Sequence, residues 1–146
     1  MDYKGNIGVG IGVMLYRDGK ILLGKRHDDP LKAKSLLNGA GTWTMPGGKI
    51  RFKETFKEAV YRETLEETGI MINNIKLISV TNDINENFHF VTMGFLCDDF
   101  SREASVMEPD EITEWKWFGL NLLPSPIFLP SEKVIKNYLN NSIYTN

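Results

Sequence analysis

The sequence predicts an α+β fold in which a mixed β-sheet is flanked by helices. Two observations predict it: strand-like segments outnumber helical ones, and the two kinds follow each other in a mixed order. With 146 residues, of which 42% are hydrophobic, the chain is long enough to bury one core of its own. We therefore expect a single domain over residues 1–146.

The first third of the chain is predicted to form a hairpin followed by a long loop. Residues 7–16 and 21–26 have the composition of strands, and the RDGK segment between them is typical of a turn. Residues 27–42 are rich in Lys, Asp, Gly and Asn, which indicates a loop of a length that is often functional. Residues 42–45 form a short predicted strand ending at Pro46, Gly47 and Gly48.

Two helices and three further strands complete the prediction. Residues 54–68 form a helix that ends at Gly69, and residues 131–139 form a closing helix with Ser131 as its N-cap. The further strands are residues 72–81, 88–97 and 114–118.

Composition excludes several classes of protein. The near balance of 17 basic and 19 acidic residues argues against a protein that binds nucleic acid by neutralising its phosphates. We therefore expect no polymeric nucleic acid as partner. Cys97 is the only cysteine, which excludes an internal disulfide and predicts a small buried hydrophobe in a strand. The mixed charges of MDYKGN and the short, glycine-broken apolar run after it predict neither secretion nor membrane spanning, and hence a cytoplasmic protein.

The helix over residues 54–68 concentrates acidic side chains in the segment YRETLEETG. At about 100° per residue, Phe56, Ala59 and Val60 form an apolar stripe that Glu63 and Glu67 continue. The two carboxylates therefore occupy positions where core residues are expected. Partly shielded charges of this kind are unfavourable unless something compensates them.

A divalent cation would compensate this pair of acids. Arg62 lies one turn from both Glu58 and Glu66, which leaves Glu63 and Glu67 without an obvious protein partner. Hard cations such as Mg²⁺ bind one or two carboxylates and complete their shells with water and substrate phosphates. The alternative is a solvated helix face, since Glu is a strong helix former.

The spacing around this helix resembles the Nudix box, the signature of hydrolases that cleave nucleoside diphosphates linked to another moiety X. The matching positions are Gly48, Glu54, Arg62, Glu63, Glu66, Glu67, Gly69 and Ile70. Thr64 departs from the pattern, which has a bulky aliphatic residue there. The resemblance implies the Nudix α/β/α sandwich, with residues 48–70 as its catalytic loop–helix–loop.

The resemblance also implies roles for the acids. In the family, Glu63 and Glu67, usually with Glu66, bind Mg²⁺ or Mn²⁺ while Arg62 orients the carboxylates. One glutamate of the set helps to deprotonate the attacking water, and which one is left open. Metal ions neutralise pyrophosphate oxygens and acidify a bound water, so that water attacks phosphorus at neutral pH.

Two other segments supply candidates for the same site. Gly47 and Gly48 let the backbone turn tightly and approach the substrate, or a metal through the Gly47 carbonyl oxygen. Family members often take a further acidic ligand or base from a later loop, where EPDEITE offers Glu108, Glu111 and Glu114. Glu108 or Glu111 is favoured, and each is also consistent with a solvated loop acid.

Outer motifs extend the resemblance, over about residues 7–118, to MutT-related nucleoside triphosphate pyrophosphohydrolases. These motifs are GVGIGVML, LLGKR, GAGTWTMPGG and EWKWF. In that branch a basic residue at the end of the second strand contacts phosphate, here Lys25 or, preferably, Arg26, because a guanidinium binds phosphate bidentately. The alternative for either is a solvated charge at a strand end.

Recognition of a nucleobase needs a flat apolar partner and a few hydrogen bonds. The candidates are Trp43, Met45, Phe88, His89 and Phe128. Trp115 and Trp117 are interpreted as packing residues, and neither His27 nor His89 has a second histidine at zinc-ligand spacing. Gly8, Gly10 and Gly12, on one face of the first strand, are expected to leave room for a base or sugar.

We therefore expect a hydrolase that depends on Mg²⁺ or Mn²⁺ and converts a nucleoside triphosphate to the monophosphate and pyrophosphate. Oxidised and pyrimidine nucleoside triphosphates are among the candidate substrates. One alternative is hydrolysis of ADP-ribose or another nucleotide sugar. The other is a non-catalytic nucleotide-sensing module, which would usually have lost glutamates of the box. The expected partner is a small nucleotide, and a homodimer is left open.

Overall fold

The computed structural model describes residues 5–35 and 37–145. The strands are β1 (Ile7–Arg17), β2 (Lys20–Arg26), β3 (Trp43–Thr44), β4 (Gly47–Lys49), β5 (Met71–Ile72), β6 (Lys76–Ile84), β7 (His89–Cys97), β8 (Phe100–Ser101) and β9 (Ile112–Gly119). The helices are α1 (Phe56–Thr68) and α2 (Leu129–Leu139).

Seven strands form the main sheet, which is mixed as predicted. Its order is β3-β2-β1-β7-β6, with β4 also paired to β1 and β9 also paired to β2. β1 runs parallel to β7, from Ile7 opposite His89 to Leu15 opposite Cys97, whereas the other pairs are antiparallel. The predicted hairpin of β1 and β2 is confirmed, and β5 and β8 form a separate two-stranded sheet.

The two helices belong to two different cores, one on each face of β1. Side chains alternate along a strand, so Val13 of β1 packs with Cys97 and with Ala59 of α1, whereas Met14 packs with Val134 of α2. This is an α/β/α sandwich, which confirms the predicted fold class.

Cys97 is buried, as predicted, and burial raises the pKa of its thiol to about 12. No helix in the described ranges has the length and apolar character that crossing a membrane requires.

The helix starts differ from the prediction because of particular hydrogen bonds. α1 begins two residues later than predicted, since the Thr55 side chain acts as N-cap and accepts a hydrogen bond from the Glu58 amide at 3.1 Å. α2 begins two residues before Ser131, so the prediction of Ser131 as N-cap was wrong. The Ser131 hydroxyl accepts a hydrogen bond from the Met45 amide at 3.0 Å instead, which ties α2 to the strand region beside β3.

Three strand predictions also needed correction. The single strand predicted over residues 72–81 is two strands, β5 and β6, interrupted at Asn74, whose side chain donates to Asp98 at 2.7 Å. Asn is among the residues depleted from strands, in agreement with the interruption at this position. β4 and β8 were not predicted, since GGK lacks strand-forming residues and pairs only because β1 lies beside it. β9 begins two residues earlier than predicted and ends one residue later.

Two glycines that lie opposite each other, Gly12 of β1 and Gly94 of β7, differ in how closely α2 approaches them. A Cβ atom at Gly94 would lie 2.7 Å from a Val134 methyl carbon and 2.9 Å from the Ser79 Cβ. A Cβ atom at Gly12 would meet Thr92 and Val134 at 3.9 Å, an ordinary contact distance. The close seat of α2 on the sheet therefore depends on Gly94.

Gly94→Ala is expected to lower the free energy of unfolding by about 1–3 kcal/mol, because the added methyl overpacks the contact with α2. Gly12→Ala is the matched control and is expected to change it by less than about 1 kcal/mol. Urea denaturation followed by circular dichroism measures both. Equal losses in the two variants would contradict this account of the packing.

Candidate active site

A cavity of about 630 Å³ opens beside the sheet, between α2, β1, β4, β7 and the loop of residues 27–42. Its lining includes Gly10, Gly12, Arg26, Pro30, Lys34, Ser35, Leu37, Met45, Gly47, Gly48, Lys49, Glu67, Phe90, Thr92, Glu111, Phe128, Pro130, Ser131 and Val134. One edge of the lining is acidic, whereas the wall formed by α2 and β7 is largely apolar. An amphiphilic anion is the kind of ligand that such a cavity suits.

Arg62 of α1 organises the acidic edge. Its guanidinium donates to Glu54 at 2.6 Å, to Glu63 at 2.7 Å and to the Lys49 carbonyl oxygen at 3.0 Å, with a longer contact of 3.4 Å to Glu66. The side chains of Arg62, Glu54 and Glu63 are only 15%, 10% and 14% exposed. Bonds of this kind between charged groups, shielded from water, hold the acids in fixed positions.

Two expectations about Arg62 were wrong. Arg62 was expected to reach Glu58, but Glu58 accepts a hydrogen bond from the Thr55 hydroxyl at the start of α1 instead. Glu63 was expected to lack a protein partner, but it pairs directly with Arg62. The expectation failed because helix spacing alone does not show that Arg62 turns towards β4 and Glu54.

The pKa values of Glu54 and Arg62 move in opposite directions. The hydrogen bond from Arg62 is the main cause that lowers the pKa of Glu54 to about 2. The same bond is the main cause that raises the pKa of the Arg62 guanidinium. Both groups therefore stay charged at neutral pH, and the ion pair persists.

Glu67 is in the opposite situation. Its pKa is raised well above the ordinary value, first by burial, then by the negative charge of Glu63 and a hydrogen bond with that carboxyl group. The Gly47 amide, which donates to Glu67 at 3.4 Å, opposes this shift. Two neighbouring carboxylates thus share a shielded position that favours a proton, or another cation, between them.

Glu108 and Glu111 lie close to these acids. Burial first, and then the charges of Glu111, Glu63 and Glu66, raise the pKa of Glu108. Glu111 lines the cavity. Glu114 lies opposite Lys25 in the pairing of β9 with β2 and does not line the cavity. Of the three later acids, the structure therefore brings Glu108 and Glu111 to the site.

The chemistry of the donor set fits Mg²⁺ or Mn²⁺, because every candidate ligand is a carboxylate or carbonyl oxygen. The Glu63 carboxylate also packs directly against Gly48, since a Cβ atom at position 48 would lie 2.6 Å from one of its oxygens. Within residues 5–35 and 37–145, no three acidic, histidine or cysteine side chains already form a cluster able to hold a metal.

The backbone of β4 lies tightly against β1. A Cβ atom at Gly47 would overlap the Ile11 carbonyl oxygen, so only glycine fits there. The Val13 amide donates to the Pro46 carbonyl oxygen at 2.8 Å, which fixes the chain just before β4. Met45, Gly47 and Gly48 all line the cavity, and their contact with a substrate stays a prediction.

Arg26 lies in the cavity wall, but its guanidinium contacts the protein. Its Nε donates to the Gly39 carbonyl oxygen at 2.9 Å, and its Nη2 donates to the Ala33 carbonyl oxygen at 3.1 Å. Burial is the main cause that lowers its pKa. A phosphate contact of Arg26 stays a prediction.

The candidates for base recognition divide into two groups. Met45 and Phe128 line the cavity, whereas Trp43, Phe88 and His89 do not. Trp43 packs edge-on against Phe118, Phe88 lies against Phe90, and His89 contacts Asn82 at 2.9 Å. Gly10 and Gly12 line the cavity, as expected for positions that leave room for a ligand.

Among the lining residues that the sequence analysis did not name are two on β7. Phe90 and Thr92 line the cavity from β7, and the alternation of side chains along that strand was the signal that could have found them.

Trp115 packs against the core, as predicted, but its indole also donates to the Glu67 carbonyl oxygen at 3.1 Å. It thereby holds the end of α1. Trp117 stacks on Phe100, which confirms its interpretation as a packing residue.

Comparison with known proteins identifies relatives of this chain. Residues 6–138 match the NUDIX domain family. The crystal structure of the MutT NUDIX hydrolase from Burkholderia pseudomallei superposes with a TM-score of 0.80 at 35% identity, covering 90% of this chain and 98% of that one. The MutT protein from Methanosarcina mazei shares the fold, with a TM-score of 0.69 at 23% identity over 92% and 94% of the two chains.

Two groups of relatives carry more specific names. The ADP-ribose pyrophosphatase of Methanocaldococcus jannaschii is 34% identical over 133 residues, which are 90% of this chain and 72% of that protein. The NAD-capped RNA hydrolase NudC of Haemophilus influenzae is 34% identical over 130 residues, or 88% of this chain, and the match spans 45% of its length. The family match and these identities lead to one conclusion: the chain belongs to the Nudix family of hydrolases, enzymes that act on pyrophosphate bonds.

Proposed function

We propose that this Nudix hydrolase converts a nucleoside triphosphate to the monophosphate and pyrophosphate with Mg²⁺ or Mn²⁺ as its cofactor. The observation that carries the proposal is the contact between Glu63 and Glu67, two shielded carboxyl groups at the acidic edge of the site. The similarity to the Burkholderia pseudomallei MutT hydrolase, together with the MutT-like motifs of the first 48 residues, supports a triphosphate as substrate.

The proposed metal ligands are the carboxylates of Glu63, Glu66, Glu67 and Glu108 and the Gly47 carbonyl oxygen. A divalent cation bound there would neutralise charge on the pyrophosphate oxygens and would lower the pKa of a bound water. Arg62 keeps Glu63 aligned through their 2.7 Å bond. One glutamate of the set accepts the proton of the water that attacks phosphorus.

The rest of the nucleotide is proposed to extend along the cavity, away from the acids. The apolar wall formed by Met45, Phe90 and Phe128 offers flat surfaces to a base. Gly10 and Gly12 lack side chains that would fill the space next to it. A base at this wall places the phosphates towards Glu67 and Gly47.

ADP-ribose is the second candidate substrate. The Methanocaldococcus jannaschii relative is named an ADP-ribose pyrophosphatase and matches this chain over 72% of its own length. Cleavage of ADP-ribose uses the same metal-dependent attack on a pyrophosphate linkage. Action on NAD-capped RNA belongs to relatives of which this chain spans 45%, and it is not proposed here. A cytoplasmic location and a homodimer remain expectations from the sequence.

A substrate panel tests the proposed function. The protein is incubated with Mg²⁺ and, in turn, with the common nucleoside triphosphates, 8-oxo-dGTP and ADP-ribose, and the products are separated by ion-exchange chromatography. Release of pyrophosphate and a monophosphate from a triphosphate is the expected result. Faster conversion of ADP-ribose to AMP and ribose 5-phosphate would favour the second candidate, and no turnover of any nucleotide would refute both.

Glu63→Gln and Glu67→Gln are each expected to lower kcat by roughly 100-fold or more, because each removes a charge from the proposed metal site. Both variants should still fold, since the side-chain volume is unchanged and the Arg62 charge keeps its two bonds to Glu54. Glu58→Gln is the matched control on α1, because Glu58 is exposed and contacts Thr55 instead of the cavity. Full Mg²⁺-dependent turnover in either site variant would remove that residue from the proposed machinery.

The raised pKa of Glu67 predicts how stability depends on pH without metal. Between the ordinary value of 4.5 and the raised pKa, the folded protein holds a proton that the unfolded chain has released. The free energy of unfolding in EDTA is therefore expected to fall as the pH rises above about 5. The contribution of Glu54, whose pKa is lowered to about 2, is lost only as the pH falls below 4.5.

Thermal denaturation in EDTA over this pH range measures the effect. Glu67→Gln should flatten the decline, since it removes the titrating group. Saturating Mg²⁺ should stabilise the wild type more at high pH, because the cation competes with the proton for the carboxylates. A stability in EDTA that rises with pH would contradict the assignment.

A further inference from the structure

The loop of residues 27–42 (the 27–42 loop) packs against Phe128, the residue that immediately precedes α2 and lines the cavity. The contact is close at Gly39, which is buried, since a Cβ atom there would lie 2.5 Å from two carbon atoms of the Phe128 ring. The backbone of Phe128 is held separately, because its amide donates to the Trp43 carbonyl oxygen at 2.8 Å. The loop therefore acts on the ring of Phe128, which is free to rotate about its side-chain bonds only as far as the loop allows.

The Arg26 guanidinium contacts both the loop and this ring. Its Nε donates to the Gly39 carbonyl oxygen at 2.9 Å, and its Nη2 donates to the Ala33 carbonyl oxygen at 3.1 Å. The central carbon of the guanidinium lies over the Phe128 ring, 4.7 Å from the ring centre. This distance is within the range of a cation–π contact. One side chain thus joins two points of the loop to the aromatic ring.

These contacts occupy the donors that a bidentate phosphate contact of Arg26 would use. A guanidinium binds phosphate with two parallel N–H groups, and Nη2 belongs to both possible pairs, with Nε or with Nη1. Nη2 already faces the carbonyl oxygens of Ala33 at 3.1 Å and Lys34 at 3.4 Å. The phosphate contact that the sequence predicts would therefore require Arg26 to leave the loop.

We propose that Arg26 is a positioning residue for the nucleotide base: it fixes the Phe128 ring through the 27–42 loop and does not bind phosphate. The inference rests on the proposed placement of the base at the wall of Met45, Phe90 and Phe128. It applies to a triphosphate and to ADP-ribose alike, since both carry a base. A ring that is already fixed loses less conformational entropy when a base packs on it. Loss of the guanidinium therefore weakens binding of the base and leaves binding of the phosphates unchanged.

Arg26→Lys and Arg26→Ala distinguish positioning from phosphate binding. A lysine keeps the positive charge but lacks the planar set of donors that reaches two separate carbonyl oxygens. In both variants the KM of the best nucleotide substrate should rise roughly tenfold, with kcat within about twofold. The inhibition constant of magnesium pyrophosphate, which has no base, should not change. A wild-type KM in Arg26→Lys, together with weaker pyrophosphate inhibition in Arg26→Ala, would overturn the inference.

A double-mutant cycle shows whether Arg26 acts through Phe128. Phe128→Ala should raise KM, and adding Arg26→Ala to it should raise KM by less than about twofold more, because the ring to be positioned is gone. Gly39→Ala, which displaces the same ring without changing any charge, should also raise KM. Lys20→Ala, at the exposed start of β2, is the control and should behave as wild type. Effects of Arg26→Ala and Phe128→Ala that multiply independently would contradict the proposal.

Limited digestion with trypsin tests the hold on the loop without any substrate. Lys32 and Lys34 are exposed, and the bonds after them should be cut several-fold faster in Arg26→Ala than in the wild type or Lys20→Ala. An unchanged rate of cleavage overturns the inference and leaves the proposed function standing.

Calorimetric titration with nucleoside monophosphates separates the inference from the proposed function, because it needs no turnover. Weaker binding in Arg26→Ala that is absent in the Phe128→Ala background supports the inference even if the wild type hydrolyses none of the nucleotides offered, a result that refutes the proposed function alone. Absence of any nucleotide binding by the wild type overturns both.

Discussion

The acidic edge of the site depends on one ionic network, in which the Arg62 guanidinium joins α1 to β4. Glu54, Glu63 and the Lys49 carbonyl oxygen all accept hydrogen bonds from it within 3.0 Å. A guanidinium offers its donors in a rigid plane, so these groups take fixed relative positions. Removing one member of a shielded ion pair costs about 3–5 kcal/mol because the other charge remains. The position of Glu63, and through it that of Glu67, follows from this network.

The sheet makes that network rigid. β4 can lie against β1 only because residue 47 has no side chain, and this contact sets the distance between the β4 backbone and α1. At the other end of the helix, the Trp115 indole from β9 holds the Glu67 carbonyl group. The carboxylates therefore project from a helix that is anchored to two different strands. Chemistry that requires fixed distances needs this kind of support.

The cavity combines surfaces that no single element could supply. α2 and β7 provide an apolar wall, α1 and β4 the acidic edge, and the 27–42 loop a wall with a basic side chain. The Ser131 hydroxyl joins α2 to the chain at Met45, and Arg26 joins the loop to the end of β2. A nucleotide has an apolar base at one end and phosphates at the other, which matches this division.

The sequence by itself determined the fold class, most strands, both helices and the acids of α1, because strand alternation, helix periodicity and the spacing of the Nudix box are local patterns. It did not determine that Arg62 pairs with Glu54 and Glu63, that Ser131 bonds to Met45, or that Arg26 is bonded to the 27–42 loop. Except for Glu63, which directly follows Arg62, these partners lie far apart along the chain, and hydrogen-bonding groups of the same kind occur at many positions. Only the packing of the two helices and the loop on the sheet decides which of them meet.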